Sequence, residues 1–225
     1  MIERAPGARR KIEIDFHFDL ICPWCVIGKR RLEGAIDLIA LAYADVDVVI
    51  RWKSLPLLPA LPPEGVPYGA FYLHRLGSAA AVAVRRRQIR EEGLAAGVTF
   101  NFERIERMPN TLAAHQLVAL AGESGGSSLQ GPLVQRLFDA YFLRGEDIGD
   151  VEQLATIGET YGIERTLSLA RMEPAVREAP LAGWQAEARR LGISGVPTIV
   201  NDGRVLQGAL PSGQLAKVLL DALPA

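Results

Sequence analysis

A chain of 225 residues with 49% hydrophobic and 23% charged side chains has material for one large core, which excludes wholesale disorder. Its 25 basic and 26 acidic residues leave a formal charge of -1, so there is no general pull toward nucleic acid or an anionic membrane surface. No segment approaches the roughly 18 uninterrupted apolar residues of a membrane helix.

The start, MIERAPGARRKIEIDF, mixes basic and acidic residues and has no apolar run of signal-peptide length. The expectation is a protein that stays in the cytoplasm. Ile12, Ile14, Phe16 and Phe18 then alternate with Lys11, Glu13, Asp15, His17 and Asp19, the period of a strand. That strand runs into CPWC, which holds both cysteines of the chain, Cys22 and Cys25. After Pro23, the residues Ile27, Leu32, Ile36 and Ile39 recur at helical spacing, so a helix begins at or just after Cys22. DVDVVIRWK, residues 45–53, reads as a second, β-branched strand. The order β, α, β predicts a parallel pair joined by a right-handed crossover.

Five prolines between Ser54 and Gly69 make the next stretch a loop. From Tyr68 to Leu191 the text is helical, with Gly-containing turns and no convincing strand; NTLAAHQL opens one helix with an Asn or Thr cap candidate. PTIV, the turn NDG and RVLQG then form a hairpin with Gly203 in the left-handed position, and an amphipathic helix capped near Ser212 closes the chain. The sum is an α/β protein in which βαβ and ββα parts of one four-stranded sheet are separated by a helical insertion.

Two cysteines three positions apart admit few chemistries. Zinc needs two more ligands, and His17, His74 and His115 are scattered without paired spacing, so no metal site is expected. Attachment of c-type haem needs His directly after the second cysteine, where this chain has Val26. A buried structural pair and a dithiol–disulfide couple remain. Position favours the couple. Cys22 at a helix N-terminus faces unpaired N–H groups and the positive end of the helix dipole, which favour a thiolate. Cys25, one turn inside, is close enough to attack a mixed disulfide on Cys22. Pro23 suits the first helical position, where its missing N–H has no partner to lose. Pro197, at the start of a late strand, is a second and independent signal, because a proline there either begins an edge strand or forms a special turn.

The segments CPWCVIGKRRLE, LPPEGVPY, MPNTLAAHQL, LFDAYFLRGEDIGD and GISGVPTIVNDGRVLQGALP together resemble the DsbA family of thioredoxin-fold oxidoreductases, in particular its FrnE-like branch. The resemblance spans nearly the whole chain. It implies a thioredoxin-like domain in two parts, residues 1–60 and 192–225, around an inserted helical subdomain, residues 61–191. It implies Cys22 as attacking thiol, Cys25 as resolving thiol, and Val196 with a cis Pro197 as the loop that holds the substrate chain. Partners would be protein or peptide disulfides, with glutathione a co-substrate that the fold admits, and no bound cofactor. Monomer and homodimer remain equally open. Related 2-hydroxychromene-2-carboxylate isomerases and kappa-class glutathione transferases resemble the same architecture and activate glutathione, typically with serine where this chain has Cys22. A glutathione-dependent isomerase or transferase is therefore the alternative function.

Asp19, three residues before Cys22, either relays the proton that leaves Cys25 or caps the following loop. His17 is expected on the polar face of its strand. Pro23 and Trp24, between the two sulfurs, are expected to shape the substrate surface. Lys29, Arg30 and Arg31 read as a solvated face, with Lys29 a candidate to support a thiolate, and the arginines 85 to 87 read as another exposed face. Asn110 and Thr111 are cap residues by position, and the resemblance adds Asn110 to the residues near substrate. His115 reads as an ordinary helix histidine.

Overall fold

The alternation at the start becomes strand β1, Arg10–Phe18, with Ile12, Ile14, Phe16 and Phe18 buried. Helix α1, Pro23–Ala42, follows, then strand β2, Val46–Ser54, which pairs parallel to β1 from Arg10↔Val46 to Phe18↔Ser54. At the end of the chain β5, Thr198–Asn201, pairs antiparallel with β1, and β6, Arg204–Gln207, pairs antiparallel with β5. The sheet order is β2-β1-β5-β6. The computed structural model describes residues 9–222; the expectation drawn from the first eight residues lies outside the described residues. The βαβ…ββα order of a thioredoxin fold is the order observed, closed by α9, Ser212–Leu220, which packs against α1.

The β5–β6 hairpin has two turn residues, Asp202 and Gly203, with φ of 46° and 74°. Positive φ at both places is the mirror-image turn whose twist matches paired strands. The expectation for α9 is corrected in detail. Pro211 precedes the helix, Ser212 is its first residue, and no side chain caps it.

Between β2 and β5 lie α2, Tyr68–Leu76; α3, Ala79–Ala95; α4, Leu112–Asp139; α5, Val151–Glu159; α6, Arg165–Met172; α7, Pro174–Glu178; and α8, Leu181–Arg190. Helix α4 is broken at Gly126, where φ is 63° and ψ is -157°. This half is not free of strand. Val66–Pro67 (β3) bridges Arg107–Met108 (β4) in an antiparallel pair. Two residues are too few to show a period of two.

Phe16, Phe18, Ile27, Leu117, Leu137 and Phe138 belong to one continuous core that joins the sheet, α1 and the insertion. Full burial of each such side chain contributes about 1.5–3 kcal/mol relative to exposure. The other sheet face is covered by α8, where Ala188, Ile193 and Val200 form a smaller cluster. That cover corrects the expectation for His17. It points away from the main core but is buried, its Nε2 has no hydrogen-bond partner among the described residues, and burial lowers its pKa. No helix among the described residues is long and apolar enough to cross a membrane.

Candidate active site

Cys22 is the residue immediately before α1, with extended φ and ψ of -91° and 110°, and Pro23 takes the first helical position. The chain turns sharply there because the Cys22 N–H donates to the Asp19 carbonyl at 3.2 Å. The first amides of α1 have no intrahelical acceptor and lie at the Cys22 end of the helix. The Cys25 N–H donates to the Cys22 carbonyl at 3.0 Å, which sets the second sulfur one turn inside. Both cysteines are free thiols. Cys22 is 6% exposed and Cys25 fully buried. Burial pushes the Cys25 thiol well above its usual range, the neighbouring Cys22 adds to the shift, and the Asp19 charge opposes ionisation further.

The Val196–Pro197 peptide is cis, and the Val196 carbonyl accepts from the Cys22 thiol at 3.6 Å. Gly28 on α1 allows this approach, because a Cβ there would lie 2.8 Å from Pro197 Cγ. The two segments that carry the sequence signals thus meet across the fold, 174 residues apart.

Asp19 is fully buried. Its Oδ2 accepts from the Leu57 N–H at 2.7 Å and its Oδ1 lies 3.2 Å from His115 Nε2. The second ring nitrogen of His115, Nδ1, is 2.9 Å from Ser54 Oγ. The arrangement is self-consistent when Nε2–H donates to the carboxylate and Nδ1 accepts from the serine hydroxyl. Asp19 therefore holds the proline-rich loop and lies within electrostatic reach of the Cys25 thiol.

Beside Cys22 a cleft of about 380 Å³ is lined by Trp24, Leu57, Leu58, Phe71, Tyr72 and Val196, with Arg75 and Arg85 also in its walls. Trp24 is half-buried in that wall, between the sulfurs. A larger cavity of about 880 Å³, between α1, β2 and the second half of α4, has neither sulfur in its walls.

Other residues fall elsewhere. Asn110 is buried; its Nδ2 donates to the Pro59 and Leu61 carbonyls at 3.2 and 2.7 Å and its Oδ1 accepts from Leu112 N–H at 3.0 Å. Its side chain ties the proline-rich loop to the start of α4, where Thr111 makes no side-chain cap. Lys29 is not on a solvated face. It is buried, with Nζ bonded to Glu33 and, at 2.7 Å, to Gln135 Oε1. Arg31 is drawn to Glu92 and the Ala209 carbonyl, both at 2.6 Å, leaving Arg30 as the exposed member of the run. Arg86 leaves the exposed face too, stacked over Tyr68 and Phe102 at 5.4 and 5.9 Å. Sequence reasoning read His115 as an ordinary helix histidine and did not single out Ser54 or Tyr72. Nothing local in the sequence joins His115 to Asp19.

The family model for the DSBA-like thioredoxin domain matches residues 13–220, and the chain belongs to that family, whose members are oxidoreductases acting on disulfides. The uncharacterized protein YwbO of Bacillus subtilis (strain 168) is 22% identical over 211 residues, covering 93% of this chain and 96% of the relative. Among solved structures, a probable DsbA oxidoreductase, SCO1869 from Streptomyces coelicolor, is similar with a TM-score of 0.80 at 24% identity, covering 94% of this chain and 89% of that one. A 2-hydroxychromene-2-carboxylate isomerase is similar with a TM-score of 0.63 at 14% identity, covering 93% of each chain. The cytosolic disulfide reductase DsbM from Pseudomonas aeruginosa, solved with glutathione, is similar with a TM-score of 0.59 at 19% identity, covering 93% of this chain and 95% of that one. This set of neighbours is consistent with the FrnE-like branch.

Proposed function

We propose that this member of the DSBA-like family is a thiol–disulfide oxidoreductase whose Cys22–Pro23–Trp24–Cys25 segment cycles between dithiol and disulfide. Its substrates are protein or peptide disulfides, and glutathione is a small co-substrate. The observation that carries this reading is a pair of free thiols at one helix start, one at the cleft and one buried behind it beside Asp19.

In the reducing direction Cys22 gives its proton to solvent through the cleft and attacks one sulfur of the substrate disulfide. A Cys22–substrate bond forms, and the other substrate sulfur leaves as a thiolate and takes a proton. Cys25 then loses its proton and attacks Cys22 Sγ. The mixed disulfide breaks, the Cys22–Cys25 bond forms, and the second substrate sulfur leaves and is protonated. Two electrons pass from the protein dithiol to the substrate. The same steps in reverse oxidise a substrate dithiol.

Resolution is the difficult step, because a buried thiol must ionise. Asp19 is the acceptor we assign. A proton moving from Cys25 to its carboxylate also removes the negative charge that opposes the Cys25 thiolate. His115, bonded to the same carboxylate, is a positioning residue. Val196 and Pro197 support the reading as the wall against which a substrate chain lies on Cys22, with Pro23 and Trp24 on the other side.

The test is chemical trapping. Cys25→Ser should accumulate a mixed disulfide on Cys22 when given a disulfide protein, and Cys22→Ser should neither exchange nor trap. Asp19→Asn should slow resolution by about a hundredfold, the lower end for loss of a general base, while leaving formation of the mixed disulfide nearly unchanged. The likeness to the isomerase structure favours one other reading, glutathione-dependent isomerisation. Full turnover of a chromene-type substrate with glutathione by Cys25→Ser, with no disulfide exchange by the wild type, would put that reading in place of ours.

A further inference from the structure

The walls of the cleft beside Cys22 are apolar and aromatic, but they also carry two cations, Arg75 from α2 and Arg85 from α3. Both are exposed, and neither guanidinium makes an ion pair or hydrogen bond among the described residues. Their neighbours differ. Arg86 and Arg90 on the same helix lie against Glu103 and over the Phe102 ring, and Arg31 is paired with Glu92. No Asp or Glu among the described residues lines the cleft. Tyr72 joins the cations to the chemistry, since its phenol is within electrostatic reach of both Cys22 and Arg75. A cleft with two unpaired cations, no anion and low-dielectric walls concentrates negative charge beside the attacking sulfur.

We propose that this cleft selects disulfides flanked by carboxylates, that is, acidic peptide disulfides of which oxidised glutathione is a small example, with Arg75 and Arg85 as the specificity-determining residues. The inference rests on the exchange reading above and names the substrate class for it. Guanidinium is suited to this role, because its planar fork matches a carboxylate and stays charged at every working pH.

The experiment uses the reduced full-length protein in single turnover. It is given three disulfide-linked peptides identical except for Glu, Gln or Lys beside each half-cystine, and separately oxidised glutathione, and released thiol is followed. The expected order of rates is Glu, then Gln, then Lys. Exposed ion pairs are worth little each, so the Glu-to-Gln ratio should be about tenfold and should shrink as salt rises from about 0.05 to 0.5 M. Arg75→Gln and Arg85→Gln should each lower that ratio about threefold, and the double variant should bring it to about one. Arg87→Gln, on the same helix but outside the cleft walls, should leave it unmoved. Charge reversal, Arg75→Glu with Arg85→Glu, should favour the Lys peptide. Oxidised glutathione reacting as fast as the Glu peptide would assign the tripeptide as a sufficient occupant; a slower reaction would assign a longer acidic chain. Equal wild-type rates on all three peptides, or a ratio unmoved in the double variant, would overturn the inference and leave disulfide exchange standing. Release of no thiol from any of them would overturn both.

Discussion

Cys25 has no exposed surface, and burial, then the neighbouring Cys22, hold its thiol well above the ordinary range. In the unfolded chain the same thiol titrates near its usual value of about 8.5. A group whose folded pKa is raised contributes stability that is fully present below the unfolded pKa and is lost as pH rises toward the folded one. The reduced protein should therefore lose stability above about pH 8.5, at about 1.4 kcal/mol per pH unit from this group. Urea unfolding of the reduced protein at several pH values checks this, and Cys25→Ala should lack the component. The buried phenols of Tyr68, Tyr72 and Tyr141 are also raised by burial, but their unfolded value near 10 puts their effect at higher pH. At this scale the sequence was partly legible. The roles of Cys22 and Cys25 are suggested by their spacing between a strand and a helix start together with the family resemblance, whereas Asp19 meets His115 across 96 residues. No local pattern encodes such a contact, so the carboxylate could be suspected and its partner could not.

Helix α1 carries two glycines, and they should behave differently. Alanine is the better helix former by about 1 kcal/mol. At Gly34 the nearest atom to a new Cβ is Ser212 Oγ at 2.8 Å, the end of a side chain that can rotate. At Gly28 it is Pro197 Cγ at 2.8 Å, with Pro197 Cβ at 3.2 Å, a rigid ring. Overpacking of that kind costs about 1–3 kcal/mol, more than the propensity gain. Gly34→Ala should be neutral or stabilising by thermal unfolding, and Gly28→Ala should lower Tm and slow exchange by moving the Val196 carbonyl from Cys22. The elements themselves were readable where the signal is local: the period of two in β1, the proline that opens α1, and the Asp–Gly turn of the last hairpin. They were not readable where a distant element decides. His17 has the alternation of a solvent-facing residue, and it is buried because α8 covers that face. Lys29 looks like one of three surface cations until Gln135 of α4 reaches it.

Across the molecule the insertion is not a separate ornament on the sheet. Phe18, the last residue of β1, packs against Trp52, His115 and Phe138 at 5.4, 5.2 and 6.3 Å between ring centroids. The strand that leads to the cysteines and the helices of the insertion share one core. Phe18→Ala should cost about 3–5 kcal/mol while chemical unfolding keeps a single transition by both near- and far-UV dichroism; two separated transitions would show that the parts fold independently. The same shared core brings Asp19 and His115 to the cysteine pair, so the redox couple proposed for Cys22 and Cys25 would depend on the whole fold. The most direct test of that couple is equilibration of the wild-type protein in glutathione buffers of graded ratio, with acid quenching, alkylation of free thiols and intact-mass analysis. The account predicts that Cys22 and Cys25 become protected together, as one intramolecular disulfide, with the glutathione adduct a minor species throughout. Accumulation of a stable glutathione adduct on Cys22, with Cys25 alkylated at every ratio, would contradict it.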